Sequence, residues 1–337
     1  MTRFRLYILN KLLWFFVAFV VAMVFNFLLP RLIPGNPVDV IVSQMASGGS
    51  ISGEALQKIH AAYIAQFGLD KPLLVQFFIY VGNLFKGDLG VSFARSPARV
   101  QDLIRGALPW TIALQLPAIL VGWIVGNGLG VLTAYRKGWM DKLLFPVSLF
   151  ISSMPFYCLS IILLYLLAVH WTIFPVGGGY GYDMRPAMNM TFFQSAAEHY
   201  VLPFLSLVLV FIGGQAVGMR AMSIYELDAD YVRYSRSLGV EDNRVIGFIF
   251  RNAMLPQVTG LALSIGTMVS GALITEVVFS YPGIGTLLFS SIRQNDYPVV
   301  QGITLLIMMA VLLANFLVDL AYGFIDPRIR ASESGER

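Results

Sequence analysis

Residues that could carry out covalent chemistry are few in this chain, and they are scattered. There are three histidines and one cysteine. His60, His170 and His199 do not have the spacing of metal ligands, and no His-Glu-x-x-His motif occurs. Cys158 lies in an apolar run, where a cysteine usually serves as a small buried hydrophobe. An enzyme would need a nucleophile–base pair or a metal cluster, and the sequence shows neither pattern.

Two acids lie inside apolar stretches that are long enough to span a membrane. Placing an ionisable side chain inside a membrane costs free energy, so each acid is a candidate functional residue. Glu276 comes shortly before Tyr281-Pro282-Gly283. It either ties down an outer gate, or snorkels to the interface and accepts backbone hydrogen bonds; we favour the second interpretation. Asp319 is expected to pair with an arginine of the cytoplasmic side. Both acids lie toward helix ends, and the two halves show no inverted repeat, which argues against an ion-coupled secondary transporter.

The composition indicates that these residues sit in a lipid bilayer. Of 337 residues, 57% are hydrophobic and only 12% are charged, whereas soluble domains average about 25% charged residues. The net charge of +4 is small, and no basic run is interleaved with aromatic residues. The sequence therefore gives no support for nucleic-acid binding.

The length of the apolar stretches predicts an all-α integral membrane protein with about six transmembrane helices, since a spanning helix needs roughly 20 apolar residues. The predicted spans are Leu12–Leu29, Thr111–Tyr135, Leu143–Trp171, Tyr200–Met219, Gln257–Phe279 and Val299–Phe324. Proline kinks are expected at Pro117, Pro146, Pro155 and Pro203.

The spans divide the chain into an N-terminal helix (1–30), a long extracytoplasmic segment (31–110), a core of five helices (111–330) and a tail (331–337). Within the second part, Glu54–Phe67 is predicted as a short helix. Pro72–Phe85 is apolar but too short to span, so we expect it at the interface or packed on the bundle. Lysine and arginine are concentrated in alternate short loops, which predicts cytoplasmic N- and C-termini in the cell membrane.

A charged segment from Arg220 to Pro256 stands out in a chain that is otherwise poor in charge. Four of its residues have helical spacing and are predicted to form one apolar ridge: Leu227, Tyr231, Tyr234 and Leu238. Gly239 is placed to end this helix in a left-handed conformation. Asp242 is predicted to cap a second helix, which would break at Pro256. The ridge either docks a partner protein or packs against the chain's own helix ends.

Uncharged polar residues on the spans are the candidates for a translocation path: Gln115, Asn127, Gln215, Ser264 and Thr267, together with the acid Glu276. Ser264 and Thr267 are the first two of four small residues that recur every three or four positions, followed by Gly271 and Thr275. Small residues at this spacing either pack helices closely or line a pore, and we favour packing.

Several motifs resemble, in family order, the permease subunits of binding-protein-dependent ABC importers, and more narrowly the dipeptide, oligopeptide and nickel permeases. The clearest match is the stretch from Asp230-Tyr231-Val232-Arg233 to Gly239, followed by Arg251-Asn252-Ala253-Met254-Leu255-Pro256, which is similar to the "EAA" loop. Further matching residues are Gly87-Asp88-Leu89-Gly90 with Ser92, Glu276-Val277-Val278-Phe279, Pro282-Gly283-Ile284-Gly285, Asp296-Tyr297-Pro298 and Asp326-Pro327-Arg328.

This resemblance implies a type I importer permease fold, with the charged segment seated in a cleft of a cytoplasmic ATPase. The residues it assigns to this coupling loop are Glu226, Leu227, Asp230, Tyr231, Arg233, Tyr234, Ser235, Leu238, Gly239, Arg251 and Pro256. The general pattern has Glu-Ala-Ala where this chain has Arg233-Tyr234-Ser235. No specific glutamate role is therefore carried over to that position.

The resemblance also implies partners and cargo. Two permease subunits, alike or different, would act with two ATPase subunits and an extracellular solute-binding protein. This chain has no Gly-x-x-x-x-Gly-Lys-Ser/Thr loop, so it is expected to carry no cofactor, with ATP and magnesium on the partner ATPases. The expected cargo is a di- or oligopeptide, and the family alternatives are a short oligosaccharide or a nickel chelate.

Overall fold

The computed structural model describes residues 2–32, 38–39, 42, 53–67, 70–136, 138–271 and 273–325. These residues are mainly helical, and the one β-interaction among them is an isolated antiparallel bridge between Val91 and Arg99. The predicted all-α class is therefore confirmed for the described part of the chain.

The helices are numbered here in chain order. They are α1 (Thr2–Leu32), α2 (Gly53–Phe67), α3 (Leu73–Phe85), α4 (Val100–Tyr135), α5 (Trp139–Ser152), α6 (Phe156–Leu163), α7 (Met190–Leu227), α8 (Asp230–Ser237), α9 (Asp242–Gly271), α10 (Leu273–Val278), α11 (Ile284–Arg293) and α12 (Tyr297–Ile325). A π-helical stretch, Leu164–His170, continues α6.

The chain forms two compact units. One contains the described residues of Met1–Leu108 and Leu287–Leu312, and the other contains those of Pro109–Thr286 and Leu313–Ile329. The second unit includes the charged segment and most of the family motifs of the core.

Four helices in the described residues are long and apolar enough to cross a membrane, and a bent helix pair can supply a fifth span. The four are α1, α4, α7 and α12, and each contains one predicted span. The predicted span Gln257–Phe279 is divided between α9 and α10, and Ala272 between them lies outside the described residues. The predicted number of six is therefore not confirmed.

The predicted span Leu143–Trp171 is not one straight helix. Helix α5 and the α6–π stretch meet at an angle of 104°. Pro155 caps α6 with an extended backbone, φ −58° and ψ 143°. A proline cannot donate the backbone bond that would continue α5, and it disfavours helical geometry in the residue before it. The kink expected at Pro155 is thus a sharp bend, whereas Pro117, Pro146 and Pro203 lie inside continuous helices.

Helices α4 and α7 pack closely because α4 carries glycines at four-residue spacing, Gly122, Gly126 and Gly130. A Cβ added at Gly126 would lie 2.6 Å from both the Cβ of Gln215 and the carbonyl oxygen of Ile212. Such spacing lets two helix backbones approach each other. This contact of α4 was not predicted from the sequence, and the small-residue contact predicted for the fifth span stays a prediction.

The glycine stripe can be tested with a matched pair of substitutions. Gly126→Ala should destabilise the purified chain by about 1–3 kcal/mol, because the new methyl group overpacks the contact with α7. Gly128→Ala adds a methyl group in open space and should be neutral or stabilising by up to about 1 kcal/mol, because alanine favours helix. Thermal unfolding in detergent measures both, and equal losses would contradict a close α4–α7 contact.

Candidate functional site

The charged segment is built from three helical pieces. Helix α7 ends at Leu227, α8 covers Asp230–Ser237, and α9 begins at Asp242. Short connections at residues 228–229 and 238–241 separate the pieces. The break predicted at Pro256 is wrong, since α9 continues through this proline. A membrane helix tolerates proline where neighbouring groups can satisfy the freed carbonyl.

Helix α8 ends as predicted, at Gly239. This glycine has φ +73°, a conformation that costs little without a Cβ. Its N–H donates to the Arg236 carbonyl at 3.0 Å, and the N–H of Val240 donates to the Ser235 carbonyl at 3.1 Å. These two bonds form a Schellman motif, which satisfies the last carbonyls of the helix.

The predicted cap of α9 is wrong by one residue. The carbonyl of Glu241 accepts the N–H groups of Arg244 and Val245, so Glu241 occupies the cap position. Asp242 is the first helical residue, and its Oδ1 accepts a hydrogen bond of 2.5 Å from the Tyr135 hydroxyl. Asp242 thereby connects the end of α4 to the start of α9.

The predicted continuous apolar ridge is also wrong. Because α7 ends at Leu227, this residue is not on the same helix as the other three. Leu227 and Tyr231 pack against a buried cluster, whereas Tyr234 and Leu238 are 66% and 63% exposed. The first pair therefore packs internally, whereas the second is exposed on the surface of this chain, so docking of a partner stays a prediction for the second pair.

The inward pair fixes α8 to the helices beneath it. The Tyr231 hydroxyl donates to Glu226 Oε2 at 2.7 Å. Burial raises the pKa of Tyr231, and the Glu226 carboxylate adds to the rise. Next to it, Val232 is fully buried in the cluster just mentioned, whose other buried members are Val131, Met219, Val245, Ile249 and Ala253. A short helix thus shares one apolar core with α4, α7 and α9.

The remaining charges of α8 are on the surface. Arg233 and Arg236 are exposed, and so is Arg251 on α9. The Arg236 guanidinium lies over the Tyr135 ring, 5.2 Å from its centroid. Ser235 donates its hydroxyl to the Tyr231 carbonyl at 2.7 Å. The outer face of α8 therefore presents an aromatic ring, a leucine and two arginines.

An ion pair joins α5 to α7 in the same unit. Arg220 donates to Asp141 Oδ1 through Nη2 at 2.9 Å and through Nε at 3.0 Å. Its guanidinium also lies 4.0 Å from the centroid of the Phe145 ring. The side chains of Arg220 and Asp141 are only 20% and 26% exposed, so water screens this pair less than it would screen a surface pair.

Glu276 holds the start of α11. It is fully buried, so it does not snorkel, but its Oε2 does accept the N–H of Gly285 at 2.7 Å. The N–H of Ile284 donates to the Thr111 hydroxyl at 2.8 Å. These amides belong to the first turn of a helix, where they have no partner within the helix. A Cβ at Gly283 would collide with both the Glu276 carboxylate and the Thr111 hydroxyl.

The loop between the π-helical stretch and α7 covers the same turn. The N–H of Gly178 donates to the Phe279 carbonyl at 2.8 Å. Trp110 packs its ring against Tyr281 and Tyr180, with centroid separations of 5.7 Å and 5.9 Å. Residues from α4, this loop and the turn after α10 thus form one polar and aromatic assembly.

The translocation-path candidates lie mainly in helix contacts. Gln115 and Asn127 are 1% and 0% exposed. Gln115 lies beside the Glu276 carboxylate, and Asn127 Nδ2 donates to Gln215 Oε1 at 3.5 Å. Ser264 donates to the Gly260 carbonyl within α9, and the side chain of Thr267 lies outside the described residues. Cargo could reach the buried members only if the helices separated.

Two more of the family motifs meet in the first unit. Ser92 donates its hydroxyl to Asp296 Oδ2, and the N–H of Phe93 donates to Asp296 Oδ1 at 2.9 Å. Asp296 is 1% exposed. As with Glu276, a buried carboxylate accepts backbone N–H groups of a turn, but here the turn is about 200 residues away in the sequence. In the described residues, no group of three or more histidine, cysteine or acidic side chains could hold a metal ion.

The sequence also matches a known family over the region that contains these features. A family profile described as "Binding-protein-dependent transport system inner membrane component" matches residues 126–331. The chain belongs to this family. It is accordingly a multi-pass membrane component of an ABC transport system, as the motifs predicted.

Individual relatives of this permease extend the similarity to nearly the whole chain. It is 33% identical to the "Probable D,D-dipeptide transport system permease protein DdpB" of Escherichia coli (strain K12), over 96% of this chain and 97% of the relative. It is 36% identical to the "Di/tripeptide transport system permease protein DppB" of Pseudomonas aeruginosa (strain UCBPP-PA14), over 90% and 93%. The "Glutathione transport system permease protein GsiC" of Pectobacterium atrosepticum is 30% identical, over 96% and 98%.

Thr111 and the pair Arg220–Asp141 were not singled out by sequence reasoning. A threonine at the start of a span is ordinary, and only its bond to the Ile284 amide reveals its role. The ion pair could have been suspected from one acid, Asp141, in a basic loop next to Lys142.

The bond between Thr111 and the Ile284 amide predicts a difference between two conservative changes. Thr111→Val keeps the shape but leaves a buried N–H without an acceptor, which should cost about 1–3 kcal/mol of stability. Thr111→Ser keeps the hydroxyl and should cost clearly less. Thermal unfolding of the purified permease in detergent compares them, and a serine variant as unstable as the valine variant would contradict this role.

Proposed function

We propose that this chain is a permease subunit of an ATP-driven importer for di- or oligopeptides, which an extracellular solute-binding protein delivers. The observation that carries the peptide cargo is similarity along nearly the whole chain. Relatives named as dipeptide or di/tripeptide permeases are 33–36% identical over 90–96% of it. No structural feature described above favours an oligosaccharide or a nickel chelate over a peptide.

We propose that the coupling segment, residues 226–239, docks in a cleft of a cytoplasmic ATPase subunit. Support comes from its exposed face, where Tyr234, Leu238, Arg233 and Arg236 lie together on α8 and its end. Aromatic and arginine side chains are enriched among the residues that dominate binding energy at protein interfaces. A leucine beside them adds apolar area without a charge to desolvate.

The inner face of the coupling segment supports its role in transmitting movement. Val232 is fully buried in a core shared with α4, α7 and α9. If an ATPase displaced α8 alone, this cluster would open and its apolar contacts would be lost. Moving the helices together avoids that cost, so force on the exposed face is passed to the ends of the long helices.

The energy source in this proposal is outside the chain. Two ATPase subunits would bind ATP and magnesium, and a second permease subunit would complete the pore. The N- and C-termini, Arg136 and the coupling segment would face the cytoplasm, as the distribution of lysine and arginine favours. Lys58 on α2 would face the exterior.

For the pore itself, we propose that Glu276 and Thr111 hold the turn at Tyr281–Gly285 in a closed arrangement. Both side chains are buried, and both accept backbone amides of this turn. Movement of α4 would carry Thr111 away from Ile284 and release the turn. Gln115 and Asn127 would then become accessible along the same helix.

Alanine substitutions separate the two faces of α8. Tyr234→Ala and Leu238→Ala should each weaken binding of the partner ATPase by about 1–3 kcal/mol while leaving the permease folded. Ser237→Ala, on the same exposed helix, should have little effect on binding. Titration of nanodisc-embedded permease with its ATPase measures the affinities. Unchanged binding for both variants would exclude this face as the docking site.

Tyr231→Ala should behave differently, since Tyr231 contacts the protein's own core and Glu226. We expect a loss of roughly 1–3 kcal/mol in the stability of the permease, from lost packing and from the hydroxyl bond to Glu226. Thermal unfolding of the permease without ATPase measures this loss. A variant with normal stability but weak ATPase binding would place Tyr231 on the docking surface instead.

The function itself is tested by uptake into proteoliposomes that contain the permease pair and the ATPases, with the cognate solute-binding protein added outside. Uptake of a labelled dipeptide should require ATP inside and binding protein outside, and unlabelled oligosaccharide should not compete. Uptake by this chain alone, driven by an ion gradient, would overturn the proposal. Competition by oligosaccharides but not peptides would keep the importer and reject the peptide cargo.

A further inference from the structure

Helix α3 has a large apolar face that no described residue of the chain covers. None of its residues from Leu73 to Phe85 is buried. Leu74, Phe78 and Phe85 are 74%, 70% and 82% exposed, and their spacing of four and seven residues places them on one side of the helix. Most residues of this helix are apolar, and none of those from Leu73 to Phe85 is charged.

The opposite side of α3 is fixed to a membrane-spanning helix. The ring of Phe27 on α1 packs against Phe77 and Tyr80, with centroid separations of 5.2 Å and 5.6 Å. Asn26 is the only polar residue of the apolar stretch Leu12–Leu29 of α1. Its side-chain amide donates to the Tyr80 hydroxyl at 3.1 Å and to the Gln301 carbonyl at 3.0 Å. Helix α3 therefore has a defined position along α1.

That position is close to one membrane surface. The apolar stretch of α1 ends at Leu29, two residues after Phe27, which is about 3 Å along a helix. With 13 residues, α3 is about 20 Å long, too short for a hydrocarbon core of about 30 Å. Charged residues flank both ends, Asp70 and Lys71 before it and Lys86 after it, and all three are exposed.

We infer that α3 lies in the membrane interface at the C-terminal end of α1, and that its face of Leu74, Phe78 and Phe85 contacts lipid acyl chains. At the same level of α1, the side chains of Phe25 and Leu28 are 59% and 37% exposed, so apolar surface of the spanning helix is open at the depth where α3 packs against it. An interfacial helix buries one apolar face at the headgroup boundary and keeps its charged flanks at the headgroups. This inference depends on membrane embedding and not on the peptide cargo.

Spin labels distinguish lipid from the other possible occupants of this face. In a Cys158→Ala background, Phe78→Cys and Leu74→Cys are labelled in the complete importer, reconstituted in phosphatidylcholine and phosphatidylglycerol vesicles. Phe77→Cys, on the side that packs against α1, is the matched control, and Lys58→Cys on α2 reports exposure to water. Collisions of each label with oxygen, which concentrates in lipid, and with a water-soluble nickel chelate are then measured.

Labels at positions 78 and 74 should collide mainly with oxygen, the label at position 58 mainly with nickel, and the label at position 77 weakly with both. Collisions of labels 78 and 74 mainly with nickel would place the face in water and overturn the inference. Weak collisions with both reagents at positions 78 and 74 would show a protein partner on this face, such as the second permease subunit, and would overturn it equally. Uptake by each labelled importer confirms that the variant is assembled.

Discussion

Backbone amides inside a bilayer need partners from the protein, because no water is present to hydrogen-bond with them. Helices satisfy their own amides, except in the first turn. In the second unit, Thr111 and Glu276 accept the first amides of α11. In the first unit, Asp296 accepts the amide of Phe93. Each unit therefore has a buried side chain, Thr111 or Asp296, that accepts a backbone amide from a distant part of the chain.

The turn and the coupling segment are held by different kinds of interaction, and this bears on how each can move. Hydrogen bonds weaken steeply with distance and angle, so the turn at Ile284 and Gly285 is either held or released. Apolar contacts have no direction, and the cluster around Val232 can stay packed while its helices tilt together. A coupling element needs continuous contact during movement, whereas a gate needs two distinct states. The described contacts support these two proposed roles.

The spans were the most predictable part of the fold, because apolar length is a local property of the sequence. Helices α1, α4, α7 and α12 each contain a predicted span. The geometry within a span was harder to predict from the sequence. Composition does not reveal that the chain bends by 104° within Leu143–Trp171. The ridge from Leu227 to Leu238 failed for a related reason, since helical spacing has meaning only within one helix, and the chain leaves α7 at Asp228.

The buried acids show why the candidate site was predicted only in part. A carboxylate paired with arginine leaves two recognisable residues in a sequence, and Asp141 with Arg220 is such a pair. A carboxylate paired with backbone amides leaves only one recognisable residue, the acid itself. Its partner cannot be recognised, because every residue except proline has an N–H. The groups next to the Glu276 carboxylate are neutral: the N–H of Gly285 and the side chains of Thr111 and Gln115. The Pro-Gly-x-Gly turn that follows Glu276 supplies the amide donor, the N–H of Gly285, and no residue type in the sequence marks a backbone N–H as a partner.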